Sequence, residues 1–246
     1  MSAAGTGDGT AGAAPRPLTV LPVLGMGDIG RGADLAGMIA GLVELCDGDV
    51  VVVTQKIVSK AEGRMTEVDP EDPDDRLRVI EAESVRVLRR RGELVISETR
   101  HGFVCANAGV DLSNVDHGWA ALLPEDADRS ARRIRDGLRA RTGRAVAVVV
   151  SDTFGRPWRK GVVDVAIGCA GVAAVVDLRG TPDAHGRTLV ATEVCVADEI
   201  ASAAELVMGK ASGVPVAVVR GVDAAWLRRG SVAQEIVRPP DEDLFR

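Results

Sequence analysis

Three short runs built almost wholly of valine and alanine do most to limit how this chain can fold: Val50 to Thr54, Ala145 to Val150 and Val214 to Val219. Each has the length of a strand and falls far short of the ~20 residues needed to cross a bilayer. Further strands are predicted at Leu18 to Leu24 and Leu94 to Glu98. Between them apolar residues return at helical spacing, as Leu35, Met38, Ile39, Leu42 and Val43, as Leu77, Ile80, Val85 and Leu88, and as Ile134 and Leu138. Ala201 to Met208 makes another predicted helix, preceded by Asp198 and Glu199, whose charge suits a helix N-terminus. Strands and helices alternating throughout predict a mixed α/β chain. Segment 66–75, acidic with two prolines, reads as a surface loop.

The stretch 1–16 is mostly Ala, Gly, Ser and Thr. It lacks the charged start and apolar stretch of a secretion signal and reads as a disordered tail, which leaves 17–246 as the folded part. A net charge of -6 argues against a non-specific nucleic-acid binder. Aromatic residues are only 2% of the chain and tyrosine is absent, so stacking platforms for single strands are missing and the core must be aliphatic. Cys46, Cys105, Cys169 and Cys195 form no Cys-x-x-Cys pair, which removes a zinc knuckle or a dithiol motif and leaves buried, reduced thiols in a cytoplasmic protein as the default. Neither nucleic acid nor membrane is an expected partner.

Several constellations can carry chemistry. Gly25-Met26-Gly27-Asp28-Ile29-Gly30 is a literal G-x-G-x-x-G between a predicted strand and a predicted helix. A dinucleotide site also wants an acid at the end of the second strand, yet that end reads Thr54-Gln55-Lys56, and Asp47 and Asp49 lie at the other end. A glycine-rich turn and a phosphate cradle both stay open. The run Thr54 to Arg64 carries Lys56 and Lys60 just beyond a strand, where cations are placed to meet an anion, and Lys60 is the candidate phosphate ligand; a solvated charged turn is the competing reading. Gly109-Val110-Asp111-Leu112-Ser113-Asn114 offers a carboxylate and a carboxamide, or simply an Asx-turn.

The strongest run follows the apolar strand Ala145 to Val150, which delivers Ser151-Asp152-Thr153 and then the basic residues of Arg156 to Gly161. A carboxylate and hydroxyls are hard oxygen ligands suited to magnesium or manganese, while a helix N-cap is the alternative role for Asp152. Glu193, Asp198 and Glu199 add carboxylates that can complete a metal site or serve as a base, or act as caps and surface charge. The three histidines show no metal-ligand spacing, and no Gly-x-Ser-x-Gly or Walker lysine motif is present.

Taken in order, the runs at 47–64, 109–114, 151–161 and 192–210 resemble the coenzyme F-420 gamma-glutamyl ligase family, over a stretch from about residue 18 to the C-terminus. The resemblance implies an α+β fold with mixed α/β sheets in an intertwined homodimer. It implies a GTP-dependent ligase that adds L-glutamate to the coenzyme F-420-0 precursor, and then further gamma-linked glutamates, through an acyl phosphate. It implies that Asp111 and Asp152 hold one divalent ion, Mg2+ or Mn2+, and that Thr153 sits at a second. It places Met26, Gly27, Asp28, Ile29, Gln55, Lys60 and Asn114 against the guanine nucleotide. Gln55 stands where some relatives carry serine. Asp152, Lys60 and Glu193 are the catalytic candidates, with Glu193 the suggested acceptor of the amine proton; whether K+ takes part is left open. Some bacterial relatives continue into a flavin-binding reductase domain at the point where this chain stops. Against this reading stand a nicotinamide dehydrogenase built on the 25–30 glycines and a nucleotide-sensing module without turnover.

Overall fold

The structure is a computed structural model and describes residues 17–244, so the stretch read as a disordered tail lies outside the described residues. In chain order the elements are β1 (Thr19–Pro22), α1 (Leu35–Leu42), β2 (Val50–Thr54), α2 (Gln55–Glu62), β3 (Met65–Glu67), α3 (Pro73–Glu83), β4 (Ser84–Arg91), β5 (Leu94–Thr99) and β6 (Val104–Ala106). There follow β7 (Trp119–Ala121), α4 (Ala127–Thr142), β8 (Ala147–Arg156), β9 (Arg159–Ala170), β10 (Val176–Asp177), β11 (Glu193–Val194), α5 (Val196–Met208), β12 (Val216–Arg220) and α6 (Val232–Glu235). The arrangement is mixed α+β.

The valine runs form the middle of a five-stranded sheet ordered β1-β12-β2-β8-β9. β2 and β8 are parallel, and every other neighbouring pair is antiparallel. Successive side chains alternate faces, so one valine run serves two cores. Val51 and Val53, with Val148, Val150, Val216 and Val218, pack on the side of Ile39 from α1, Ile57 from α2 and Leu138 from α4. Val50 and Val52, with Val149, Ala217 and Val219, pack against Ile200, Ala201, Ala204 and Met208 of α5. All four valines of β2 are 0% exposed, and burying each side chain contributes about 1.5–3 kcal/mol. α4 lies so close to the sheet that a Cβ on Gly168 of β9 would sit 2.3 Å from the carbonyl carbon of Ala127. A third core, with Val68, Ile80, Val95, Val110 and Leu122, lies beneath α3 and beside two small sheets, β3-β7 and β4-β5-β6.

The glycine-rich run is not a dinucleotide turn. β1 is separated from β2 by β12, and α1 begins only at Leu35, so the strand does not turn directly into a helix after Gly30. Other expectations change as well. The apolar series Leu77 to Leu88 does not make one helix: α3 ends at Glu83, and Val85 and Leu88 lie in β4. Ser84 takes extended angles while its hydroxyl donates to Ile80 O at 2.7 Å, and register shifts in the β4-β5 pairing break the two-residue alternation that would have marked a strand. Within 66–75, β3 and the start of α3 flank a shorter loop. α5 starts at Val196, which puts Asp198 and Glu199 inside its first turn. All four cysteines are free; Cys105 and Cys169 are buried as expected, but Cys46 is exposed.

Candidate active site

The end of β2 and the extended β8-β9 hairpin of the large sheet carry the candidate residues. β2 runs directly into α2, so the residues expected to form a charged turn are helical. Gln55 and Ser59, four residues apart, face inward: Gln55 Nε2 donates to Ser59 Oγ at 2.7 Å and to Leu122 O at 2.8 Å. Lys56 and Lys60, also four apart, reach the 111–114 loop. Lys56 Nζ lies 2.9 Å from Asp111 Oδ2 and donates to Ser113 Oγ at 2.9 Å, while Lys60 Nζ donates to Asn114 O at 3.1 Å. Gly63, with φ 70°, closes α2 in the left-handed conformation that glycine adopts without strain. The Asp111 loop is the expected Asx-turn: Asp111 Oδ1 accepts from the Ser113 amide and hydroxyl, both at 2.7 Å. Asp111 N–H and C=O pair with Ala121, which fixes the loop beside β7.

Asp152 and Thr153 do not lie past a strand end but inside β8, which continues to Arg156 by pairing with β9 after β2 has stopped at Thr54. Thr153 therefore faces Asp164 across the hairpin. Thr153 Oγ1 donates to Asp164 Oδ1 at 2.7 Å and accepts from Lys210 Nζ. Asp164, only 2% exposed, also accepts from Ser151 Oγ at 3.3 Å and pairs with Lys210 at 2.7 Å.

The two metal-candidate carboxylates differ electrostatically. Burial works to raise the Asp111 carboxyl, but the Lys56 ammonium and the Ser113 hydrogen bonds outweigh it and hold it below the ordinary range. Burial pushes Asp152 up to about 7, against the pull of the Thr153 amide, and the nearby charges of Asp111 and Asp164 push the same way. Its carboxylate accepts from Thr153 N at 2.8 Å and, among the described residues, has no ion-pair partner. Cys105 stands close enough to Asp152 that this charge adds to burial in raising its thiol to about 12, so it carries no nucleophile. Among the described residues no group of three or more His, Cys, Asp and Glu is arranged to hold a metal alone. A hard dication here would draw on two carboxylates and on oxygens of its substrate, as magnesium commonly does.

The remaining candidates are placed differently. Met26 and Ile29 turn their side chains into the core, leaving Gly27 and Asp28 exposed. Gln55 is 1% exposed with its amide nitrogen engaged inside. Glu193 lies on the β10-β11 ribbon, ion-paired with Arg179 at 3.2 Å, and no hydrogen bond or ion pair links it to the Asp111–Asp152 group. Asp198 accepts from Ala166 N and anchors α5 to β9. Sequence reasoning missed Asp164, Lys210 and the Lys56–Asp111 pair. A lone aspartate in the otherwise apolar Val162 to Ala170 run was the available signal for Asp164.

Two carboxylates and two lysines brought together beside the end of β2 and along β8 form an arrangement of the kind that suits a polyanionic substrate accompanied by a hard metal ion. Residues 24–221 match the family model described as F420-0:Gamma-glutamyl ligase, and the chain belongs to that family. It is 42% identical to the coenzyme F420:L-glutamate ligase of Methanothermobacter thermautotrophicus, over 93% of this chain and 99% of that protein. It is 44% identical to the protein of that name from Methanopyrus kandleri, over 87% of this chain and 92% of the relative. For the Archaeoglobus fulgidus protein of the same name the identity is 42%, covering 92% and 96%.

Proposed function

We propose that this protein is a GTP-dependent ligase that joins L-glutamate to the coenzyme F-420-0 precursor and then adds further gamma-linked glutamates. The observation that carries the reading is that Asp111, held by Lys56 on a loop beside Lys60, comes near enough for its charge to act on Asp152 from a segment remote in sequence. Family membership and the names of the relatives support the choice of substrates.

A carboxylate is a poor electrophile, so the acid must be activated, as an acyl phosphate formed with the terminal phosphate of GTP. The glutamate amine then attacks the acyl carbon, phosphate leaves and an amide remains. Lys56, in the first turn of α2 where no side chain caps the amides and the helix end itself favours an anion, and Lys60, one turn further along, hold phosphate oxygens. The exposed Gly27 and Asp28, with Asn114, border the nucleotide, and Gln55 supports it from within by fixing α2 to Leu122. Asp111 and Asp152 hold a Mg2+ or Mn2+ ion, and Thr153 stands at the place expected for a second. The residues fit the first ion, because Asp152 is a partly buried acid pressed by two neighbouring carboxylates, a charge pattern that a dication relieves. When bound, the ion neutralises phosphate charge and polarises the transferring group. Glu193 is the proposed acceptor of the amine proton, acting on a substrate that reaches the β10-β11 ribbon. K+ is a candidate auxiliary ion.

The working form is a homodimer in the cytoplasm. Support for the second copy comes from β4, an edge strand whose Val85 and Val87 are 66% and 46% exposed. Among the described residues no helix is long and apolar enough to cross a membrane. Incubation with GTP, divalent metal, L-glutamate and coenzyme F-420-0 is expected to release phosphate and to add glutamyl units that mass spectrometry counts. GTP consumption without a glutamyl adduct, or an adduct formed without nucleotide, overturns the proposal.

A further inference from the structure

Thr153 and Lys210 share a contact that bears on how many metal ions the site takes. The Lys210 ammonium has three oxygen partners: Thr153 Oγ1, Asp164 Oδ1 at 2.7 Å and Glu205 Oε1 at 3.0 Å. The Thr153 hydroxyl commits its proton to Asp164, so the lone pairs that would face a metal ion instead meet an ammonium. Asp164 is spoken for on both oxygens, with Thr153 and Lys210 on one and Ser151 on the other. A dication on Thr153 Oγ1 would stand within a few ångströms of that ammonium, against direct like-charge repulsion. Asp152 is the opposite case: its one protein hydrogen bond is from the Thr153 amide, and it has no ion-pair partner to displace.

We propose that the Lys210 ammonium takes the place of the second divalent ion at Thr153, so that this chain's site holds one Mg2+ or Mn2+ ion and one built-in cation. The inference rests on the metal and nucleotide reading given above, and it gives Lys210 and Asp164 a role beside Thr153. The placement follows from the fold. The hairpin sets Thr153 opposite Asp164, and the chain leaving α5 at Gly209 brings Lys210 onto both. Half of the Lys210 side chain is exposed, so the ammonium is held by carboxylates on one side and open on the other to a phosphate oxygen, which lysine meets as a point charge.

Counting Mn2+ by electron paramagnetic resonance, with the protein saturated by a non-hydrolysable GTP analogue, tests this. The wild-type chain is expected to retain one ion. Lys210→Gln, which removes the ammonium and offers an amide oxygen, is expected to retain two, and Lys210→Arg one. Two ions on the wild-type chain overturn the proposal whatever the variants do. A count of one on Lys210→Gln also overturns it, because Lys210 is then not what keeps the second ion out. If the nucleotide analogue binds to none of the proteins and no ion is retained, the nucleotide site fails together with this inference. That outcome is distinct from a wild-type count of two with nucleotide bound.

Discussion

Lys56 and Asp111 meet at 2.9 Å, joining the first turn of α2 to a loop more than fifty residues further along the chain. Both are partly buried, and the pair holds the Asp111 carboxylate ionised, near enough for its charge to act on Asp152. The ammonium also competes with any metal ion for that carboxylate. Lys56→Met is therefore expected to bind Mn2+ more tightly in the absence of nucleotide. A partly exposed pair contributes about 0.2–1 kcal/mol, so the gain is up to about fivefold. Calorimetric titration of the variant decides it; weaker binding would show that Lys56 instead builds the loop.

Lys60 makes a different contact. Its ammonium donates to a backbone carbonyl, Asn114 O, and has no carboxylate partner among the described residues. That leaves its charge uncancelled beside the proposed phosphates. Lys60→Ala is expected to raise the KM for GTP about tenfold or more, the effect of losing one charge-assisted hydrogen bond of about 1.5–3 kcal/mol, with a smaller change in the KM for glutamate. Steady-state kinetics with each substrate varied in turn measure both, and an unchanged GTP constant would return Lys60 to surface charge.

The sequence showed the central sheet because Val50 to Val53 are apolar without a break, which is what burial on both faces demands. It singled out Asp111, Asp152 and Lys60 as candidates, but it put Asp152 past a strand end where the structure has it inside β8, and left a charged turn open at Lys60, which is helical. It hid β4, since Val85 and Leu88 fall at helical spacing once the register shifts are counted. It also hid Asp164 and Lys210, whose meaning lies in a cross-strand partner and in a segment leaving α5, neither of which local spacing encodes. The resemblance places Gln55 against the nucleotide, whereas the helix that begins there turns its side-chain amide inward to Ser59 and Leu122.

Close approach gives a prediction about the fold alone. A methyl group on Gly168 would lie 2.3 Å from Ala127 C and 2.4 Å from Ala127 O, and these are backbone atoms at the start of α4 that cannot swing aside. Gly168→Ala is expected to destabilise the protein by about 1–3 kcal/mol or more, as overpacking does. Chemical denaturation of the variant checks it. A midpoint equal to the wild type would mean that α4 is free to move off the sheet.

Asp152 joins stability to function with opposite signs. Its carboxyl is pushed up to about 7 in the folded protein from an ordinary value of 3.8, by burial first and then by Asp111 and Asp164. The folded state thus holds this proton more tightly than the unfolded chain. Between those two values the folded chain carries the proton and the unfolded chain does not, so stability falls as pH rises, and the loss is complete above about 7. Solvent access to the site reduces the size of the effect to about 1–2 kcal/mol. Asp152→Asn removes the ionisation and keeps the shape. At pH 8, without metal, the variant is expected to melt a few degrees above the wild type, roughly 2–8 °C, and the gap should narrow by pH 5 and close only below the ordinary carboxyl value of 3.8. Ligation should be abolished at every metal concentration, because a carboxamide cannot supply the charge that balances a dication. Added Mn2+ should stabilise the wild type but not the variant. Thermal melts at the two pH values, with and without Mn2+, test all of this, and a variant less stable than the wild type at pH 8 would show that Asp152 is a structural partner rather than a charge held ready for a metal ion.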